Sequence, residues 1–459
     1  MRLSDRFLTR FGKIQSLLEK EKNFLFRLKN IAHLLTGNFA SSFIGLAGFA
    51  LTARALGPSD YGILALCFAY TRGIERLVSV RSWQPLIKYG AEALHAGDLG
   101  NLRALFKFGM LLDIVAALTA WVVAVALVLL AAPVFGISAE MSRVVIVYCS
   151  VLPFQVSGMA TAVLRLFGRY NILAYGQVFA SLVRVSFALF GVVAGWGLFE
   201  FLMLWMGAQI FGALNLNLLA FIELRRRGLH GVLFSSVRGI AGKFPGLYAF
   251  SISANLSSTL RSSASELDTL IVGFLTDPTS AGLYHIAKRI GRIAQQAGVQ
   301  VQAVLFPDLA KAWSANEIVD FRKIVAQAQM LLLAFGSAAL LFFYVTIEPL
   351  LLWTAGRDFL AAGPLVIVQT VAVIATLCGT VLYSALLAMG KERVVLKIAL
   401  FSTFIFHATA FSLVPQIGPM GANIAHIAMS VAWLLAMTRV YHTEAARGQD
   451  TSAGAGTFG

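Results

Sequence analysis

The chain alternates long apolar stretches with short polar connections. Stretches that can cross about 30 Å of hydrocarbon at 1.5 Å per residue identify membrane helices. The sequence holds twelve of them, at residues 31–53, 61–80, 107–130, 143–163, 171–193, 198–221, 246–270, 280–306, 324–347, 361–388, 395–414 and 418–438. The second, seventh and eighth contain charges. The pattern predicts an all-α polytopic membrane protein with about 12 transmembrane helices.

Basic residues test this assignment independently of hydropathy, because cytoplasmic connections collect Lys and Arg. One set of connections, together with both tails, carries 27 basic residues. The alternate set carries only Arg54, Arg143 and Arg357. A missed or extra span would have broken this alternation. We therefore expect both termini to be cytoplasmic.

Composition narrows the class of protein further. The 459 residues are 58% hydrophobic and 13% charged, with a formal net charge of +15. So few charges cannot cover a soluble particle, and the basic excess lies between apolar runs, which argues against a nucleic-acid partner. The three cysteines lie in apolar stretches without metal-ligand spacing, so neither a metal nor another cofactor is expected.

Two halves of the chain share a pattern of glycine and charged residues in their connections, at an offset of about 220 residues. The segment 57–62 corresponds to 277–282, and Gly168-Arg169 corresponds to Gly390-Lys391. The repeat predicts two pseudo-symmetric six-helix lobes. The predicted divisions are a cytoplasmic basic amphipathic segment at 1–30, an N-lobe at 31–222, a cytoplasmic linker at 223–245, a C-lobe at 246–441 and a disordered C-tail at 442–459.

The segment Ala53-Arg54-Ala55-Leu56-Gly57-Pro58-Ser59-Asp60-Tyr61-Gly62 resembles the A-R-x-L-G-P-x-x-Y-G motif of polysaccharide-biosynthesis flippases. These belong to the multidrug/oligosaccharidyl-lipid/polysaccharide (MOP) superfamily. Residues 268–273 and 281–289 resemble the start of their second lobe, and the likeness extends over about residues 30–440. The resemblance implies a V-shaped, MATE-like transporter of the bacterial inner membrane.

The resemblance also implies a function and partners. The expected cargo is an oligosaccharide linked to a polyprenyl diphosphate of the undecaprenyl type, moved by alternating access for the assembly of O-antigen or exopolysaccharide. Expected partners are this lipid-linked oligosaccharide, membrane lipids, an H⁺ or Na⁺ coupling ion, and polysaccharide polymerases.

Basic residues within the spans supply the candidate binding site. The spans contain seven of them: Arg72, Arg76, Arg184, Arg261, Lys288, Arg289 and Arg292. If all seven faced lipid, at roughly 2.5–3.5 kcal/mol each, the cost would be on the order of 20 kcal/mol, which exceeds the stability of a typical fold. Arg72, Glu75 and Arg76 share one helix face. We predict that basic stripes of the second and eighth spans face each other across a cleft. The candidate substrate-binding residues are Arg72, Arg76, Arg261, Lys288, Arg289, Arg292, Asn38, Asn255 and Gln296.

A cationic cleft suits a diphosphate, because guanidinium groups give it charge-assisted hydrogen bonds. The alternative is that these charges form structural ion pairs, Arg72 or Arg76 with Glu75 and Arg261 with Asp268. For Arg184, alone in the fifth span, the sequence does not separate a cavity role from packing. The candidate ion-coupling acids are Glu75, Glu266 and Asp268, with Asp113 a further one; each acid has an alternative role as a charge partner.

Other functional classes fit less well. A multidrug or cation antiporter of the same superfamily is the main alternative, but a lipophilic cation requires the opposite charge in its cavity. A membrane glycan ligase or polymerase needs room for catalytic groups, whereas the longest connections here span about 20–25 residues and carry no metal or nucleotide motif. We therefore do not expect an enzyme.

Overall fold

The computed structural model describes residues 4–78, 82–135, 139–244, 247 and 263–455, nearly all of them helical and none in a strand. The first half contains α1 (Ser4–Val78), α2 (Trp83–His95), α3 (Leu99–Phe135), α4 (Ala139–Cys149), α5 (Gly158–Leu166), α6 (Tyr170–Val193) and α7 (Leu198–Arg226). The second contains α8 (Ile240–Lys243), α9 (263–275), α10 (Pro278–Ser314), α11 (Ile318–Thr354), α12 (Gly363–Ala388), α13 (Glu392–Ile417) and α14 (Pro419–Ala455).

Within the described ranges, nine helical segments are long and apolar enough to cross a membrane. The first of them, Thr36–Val78, holds most of the first two predicted spans. A break in α1 at Gly57 (φ 71°, ψ 172°), immediately before Pro58, separates the two. The seventh predicted span lies mostly outside the described residues, and the eighth lies in the more polar α10. The chain is therefore the helical membrane protein that the hydropathy pattern predicts.

The fourth predicted span is not one continuous helix. A 3₁₀ turn at Leu152–Phe154 separates α4 from α5, and it contains Pro153. Proline lacks the N–H that a helix interior needs, so the helix ends there. The connection at 81–107, predicted only as polar, contains the separate helix α2.

The C-terminal end is also more ordered than predicted. The sequence predicts a disordered tail from residue 442, whereas α14 continues to Ala455. Tyr441 and Ala445, one helical turn apart, are buried, and Glu444 Oε2 lies 2.8 Å from Lys391 Nζ. The start of the segment predicted to be disordered is thus helical and contacts the rest of the second half through these residues.

The two halves meet at α1 and α10. α1 packs against α6 of its own half and against α10 of the other, and α10 packs in turn against α12. One hydrophobic cluster includes Phe49 and Tyr61 of α1, Trp205 of α7 and Ile286 of α10. The α1–α10 contact therefore places side chains from both halves around a common space.

Candidate functional site

A cavity of about 750 Å³, here called the chamber, lies mainly within the first half of the chain. Its walls come from α1, α2, α3, α5, α6 and α7, and α10 contributes one side chain. Five arginines line it, against the two acids Glu75 and Asp113; the arginines are Arg72, Arg76, Arg165, Arg184 and Arg289. The chamber therefore has an excess of positive charge.

A smaller pocket of about 30 Å³ adjoins the chamber and shares Arg72 and Arg289 with it. Lys288, Arg292 and Glu266 also line this pocket. Basic residues of α1 and of α10 thus line the same small pocket.

Four of these guanidinium groups form what we call the arginine cluster: Arg72, Arg184, Arg289 and Arg292. Arg72, Arg184 and Arg292 all lie close enough to Arg289 to repel its charge. Glu266 and Asp268 act favourably on Arg292. Because like charges at short range are unfavourable, the cluster is held in place by other contacts and is suited to receive an anion.

Two stacked aromatic rings hold part of the cluster. The rings of Phe49 and Trp205 lie 3.9 Å apart at 24°. The Arg289 guanidinium carbon lies 3.3 Å from the Phe49 ring centroid, and that of Arg184 lies 5.1 Å from a Trp205 ring centroid. Cation–π attraction at both ends of the stack therefore offsets some of the repulsion without neutralising either charge.

Several donors in the walls of the chamber lack acceptors. Among the described residues, the buried Nε atoms of Arg165, Arg184 and Arg289 have no hydrogen-bond partner. Buried polar groups are normally paired, so a group of unpaired guanidinium donors around one cavity is unusual. These three Nε atoms are enclosed by protein, so they show how incompletely the arginines are paired but do not themselves face the space of the chamber.

Asp268, a candidate coupling acid, is fully buried in a hydrogen-bond network. It pairs with Lys288 Nζ, and its Oδ2 accepts from the Tyr284 hydroxyl at 2.9 Å and lies 3.0 Å from His426 Nε2. The Thr269 backbone N–H donates to Oδ1 at 2.6 Å. These partners come from α9, α10 and α14, so this carboxylate connects three helices.

The other coupling candidates lie closer to the open space. Glu75 lines the chamber, and Glu266 lines the small pocket, where its Oε1 lies 3.7 Å from Arg76 Nε. Arg76 therefore pairs with an acid from α9. Arg261, the predicted partner of Asp268, lies outside the described residues, and so does Asn255.

Two predicted binding residues lie outside both cavities. Gln296 Nε2 donates to Ser42 Oγ at 2.5 Å, which joins α10 to the first part of α1. Asn38 is exposed and is not among the lining residues. Arg292 lines the small pocket but also donates from Nη2 to the Ser265 carbonyl oxygen at 3.2 Å.

Sequence reasoning missed one end of the chamber. Trp83, Gln155, Arg165 and Gln209 all line it. Trp83 and Arg165 fall in predicted connections, whereas Gln155 and Gln209 lie within the fourth and sixth predicted spans. Arg165 was counted as a cytoplasmic loop charge. Asp113 is buried, and its Oδ2 accepts from the Met159 backbone N–H at 2.9 Å, so it caps α5 from α3. The sequence signal for this end of the chamber is Asp113, because an acid is unusual in an apolar span.

Similarity to known proteins shows the family of the chain. The family model described as "Polysaccharide biosynthesis protein" matches residues 27–313. The chain belongs to this family. A curated relative of this polysaccharide biosynthesis protein is "Inner membrane protein YghQ" of Escherichia coli (strain K12), 26% identical over 268 residues, which are 57% of this chain and 73% of the relative.

Solved structures share the fold. An inward-facing multidrug resistance MATE family transporter of the MOP superfamily matches with a TM-score of 0.67 and 15% identity, over 93% of this chain and 99% of that one. Lipid II flippase MurJ, in an inward closed conformation, matches with a TM-score of 0.68 and 14% identity, over 90% and 86%. This polysaccharide biosynthesis protein is thus a multi-span membrane protein that shares the fold of these two structures.

Proposed function

We propose that this chain flips a polyprenyl-diphosphate-linked oligosaccharide, of the undecaprenyl type, across the bacterial inner membrane for cell-surface polysaccharide assembly. The arginine cluster carries the proposal. Arg72 and Arg184 of one half and Arg289 and Arg292 of the other border connected cavities, and a diphosphate has the charge and acceptor geometry to bridge guanidinium groups.

The proposed path keeps the lipid tail in the bilayer while the head group occupies the chamber. Both termini are placed in the cytoplasm by the distribution of basic residues, so the start of α10 and the break at Gly57 lie toward the outside. The mid-helix positions of Arg72, Arg289 and Arg292, about 20 Å along their helices from Pro58 and Pro278, then lie near the bilayer midplane. The protein acts by alternating access and makes no covalent change to its cargo.

Ion coupling is assigned to Glu75, Glu266 and Asp268. The described contacts give Asp268 the most specific role, because a proton or Na⁺ at its carboxylate competes with Lys288 and His426 and so loosens the packing of α9, α10 and α14. We assign H⁺ or Na⁺ as the coupling ion and polysaccharide polymerases as partners. Asn255 and Arg261 remain predicted binding residues.

The test is transfer of a defined lipid-linked oligosaccharide in liposomes that contain the purified protein. We expect Arg72→Ala and Arg289→Ala each to lower the transfer rate about tenfold or more, because each loses charge-assisted hydrogen bonds to the diphosphate. Arg143→Ala is the matched control, since this exposed arginine of α4 lines neither cavity.

Transfer by the wild-type protein that equals transfer by empty liposomes would contradict the proposal. So would full activity of a variant that lacks all four arginines of the cluster. Uptake of a lipophilic cationic dye by the same liposomes, without oligosaccharide transfer, would instead support the antiporter alternative. Folded protein recovered by size-exclusion chromatography is compared across all variants.

A further inference from the structure

The chamber extends well beyond the arginine cluster. Its other end, which we call the vestibule, is formed by Trp83, Asp113, Gln155, Thr161 and Arg165. The Arg165 guanidinium carbon lies 4.5 Å from a Trp83 ring centroid. A Cβ at Gly158 would lie 2.7 Å from Asp113 Oδ1, so α5 begins directly against α3. A diphosphate alone does not need a cavity of about 750 Å³, which is in the size range of whole organic ligands.

The charges of the vestibule differ from those of the cluster. Arg165 and Asp113 balance each other in sign, whereas the cluster brings together four cations. A second phosphate in the vestibule would meet the Asp113 carboxylate, so a ligand without net charge fits better.

The wall chemistry of the vestibule is mixed. Trp83 is half-buried and carries Arg165 over its ring, and the small side chains of Ala116 and Ala117 line the same chamber. Gln155 Nε2 donates to Gln209 Oε1 at 3.1 Å, which leaves the second amide hydrogen of Gln155 and its oxygen for other partners. A sugar ring matches these groups, because its C–H face packs on an indole while its hydroxyls both donate and accept.

We infer that the vestibule is a subsite for an uncharged pyranose of the cargo, stacked on Trp83 and hydrogen-bonded by Asp113 and Gln155. The inference rests on the function proposed above and adds a specificity to it. In this arrangement the N-terminal half of the chain binds the sugars next to the diphosphate, while both halves hold the diphosphate.

The test measures binding of synthetic probes to the purified protein in nanodiscs. The probes are farnesyl diphosphate, the same lipid diphosphate bearing N-acetylglucosamine or galactose, and one bearing glucuronic acid. We expect at least one neutral sugar to tighten binding about tenfold over farnesyl diphosphate, and the acidic sugar to add nothing beyond that. Trp83→Ala removes the gain and leaves the affinity for farnesyl diphosphate unchanged, while Trp83→Phe keeps most of it.

Controls separate this subsite from the proposed function. Arg289→Ala weakens binding of every probe, and Trp353→Ala, which removes an exposed tryptophan that does not line the chamber, changes none. Equal affinity for bare and neutral-sugar probes, or a gain that survives Trp83→Ala, overturns the subsite alone. A preference for glucuronic acid overturns the claim of neutrality. No binding of any probe to the wild-type protein counts against the proposed function itself.

Discussion

At the scale of single residues, Asp268 belongs to a buried ion pair whose loss would lower the stability of the fold. Its carboxylate and the Lys288 ammonium are both buried and bonded to each other. Removing one partner of such a pair typically costs about 3–5 kcal/mol, whereas replacing both by apolar groups costs much less. The stability of this region therefore depends on the pair and not on either charge alone.

We expect Asp268→Asn to lower the thermal stability of the detergent-solubilised protein strongly, since Lys288 is left buried without a counter-charge. The double variant Asp268→Asn with Lys288→Met should recover a large part of the loss. Differential scanning fluorimetry at neutral pH compares the three proteins. A double variant as unstable as the single one would show that the ion pair is not the cause. Lys391→Met, at a more exposed pair, is the control.

Residue-level prediction from sequence succeeded where neighbours lie on one helix and failed where they lie far apart in the chain. The spacing of Arg72 and Arg76 fixes their shared face without knowledge of the fold. The pairing of Asp268 with His426, 158 residues away, depends on how α9 packs against α14. The contact of Trp83 with Arg165 likewise depends on how α2 packs against α5, and no local sequence pattern indicates it.

At the scale of elements, the start of α10 depends on its cap. Asp277 is the N-cap residue, and its Oδ1 accepts from the Ser280 backbone N–H at 2.9 Å, ahead of Pro278 in the first turn. Burial alone would raise the pKa of this carboxyl, but the hydrogen bonds from Ser280 and Thr279 outweigh burial and lower the pKa. The ionised carboxylate therefore stabilises the helix start.

Asp277→Ala should weaken the first turn of α10 by about 1 kcal/mol, because N-cap side chains contribute roughly that amount. Backbone amides at 279–284 should then exchange with deuterium about fivefold faster at pH 7. The folded pKa is depressed, so the contribution is complete above the unfolded value of about 3.9 and is lost as pH falls through the folded pKa. The difference between wild type and variant should shrink below about pH 4.

The matched control for this cap is Asp98→Ala. Asp98 Oδ1 accepts from the Asn101 backbone N–H at 2.9 Å at the start of α3, so its loss should affect α3 and leave α10 unchanged. Faster exchange in α10 that is equal in both variants would indicate a general destabilisation instead of a lost cap.

Hydropathy located the helical elements but not their interruptions. Span positions follow from apolar length, and Gly57-Pro58 marks the end of the first span correctly. The break at Leu152–Phe154 lies in a stretch that is apolar on both sides, so the lone Pro153 was its only signal. The helix α2 was missed because its polar face gives it the composition of a connection.

At the scale of the whole molecule, the internal repeat forms a contact between the two halves. The equivalent segments 57–62 and 277–282 meet, and each presents a glycine to the other. A Cβ at Gly62 would overlap the Pro278 carbonyl oxygen, and one at Gly282 would lie 2.5 Å from the Pro58 carbonyl oxygen. The sequence predicted that these segments are equivalent, but not that they touch, since repeats specify similarity and not the interface between copies.

This reciprocal glycine contact joins the break of α1 to the start of α10. A hydrogen bond of 2.8 Å between the Tyr61 hydroxyl and His285 Nδ1 lies beside it and also joins α1 to α10. In the proposed orientation this contact lies toward the outside, and we propose that it is the outer seal of the chamber. Opening to the outside then requires Gly62 and Gly282 to separate.

Gly62→Ala and Gly282→Ala should therefore favour the state that is open to the outside, because an added methyl group cannot fit into the closed contact. A cysteine at Thr161 in the chamber, in a variant without the native cysteines, reports access to a membrane-impermeant thiol reagent. We expect labelling from the outer side to rise several-fold with either alanine. Gly207→Ala is the control, since no atom lies within 4 Å of its added Cβ. Outer-side labelling that stays at the level of this control, in folded protein, would show that the glycine contact is not the outer seal.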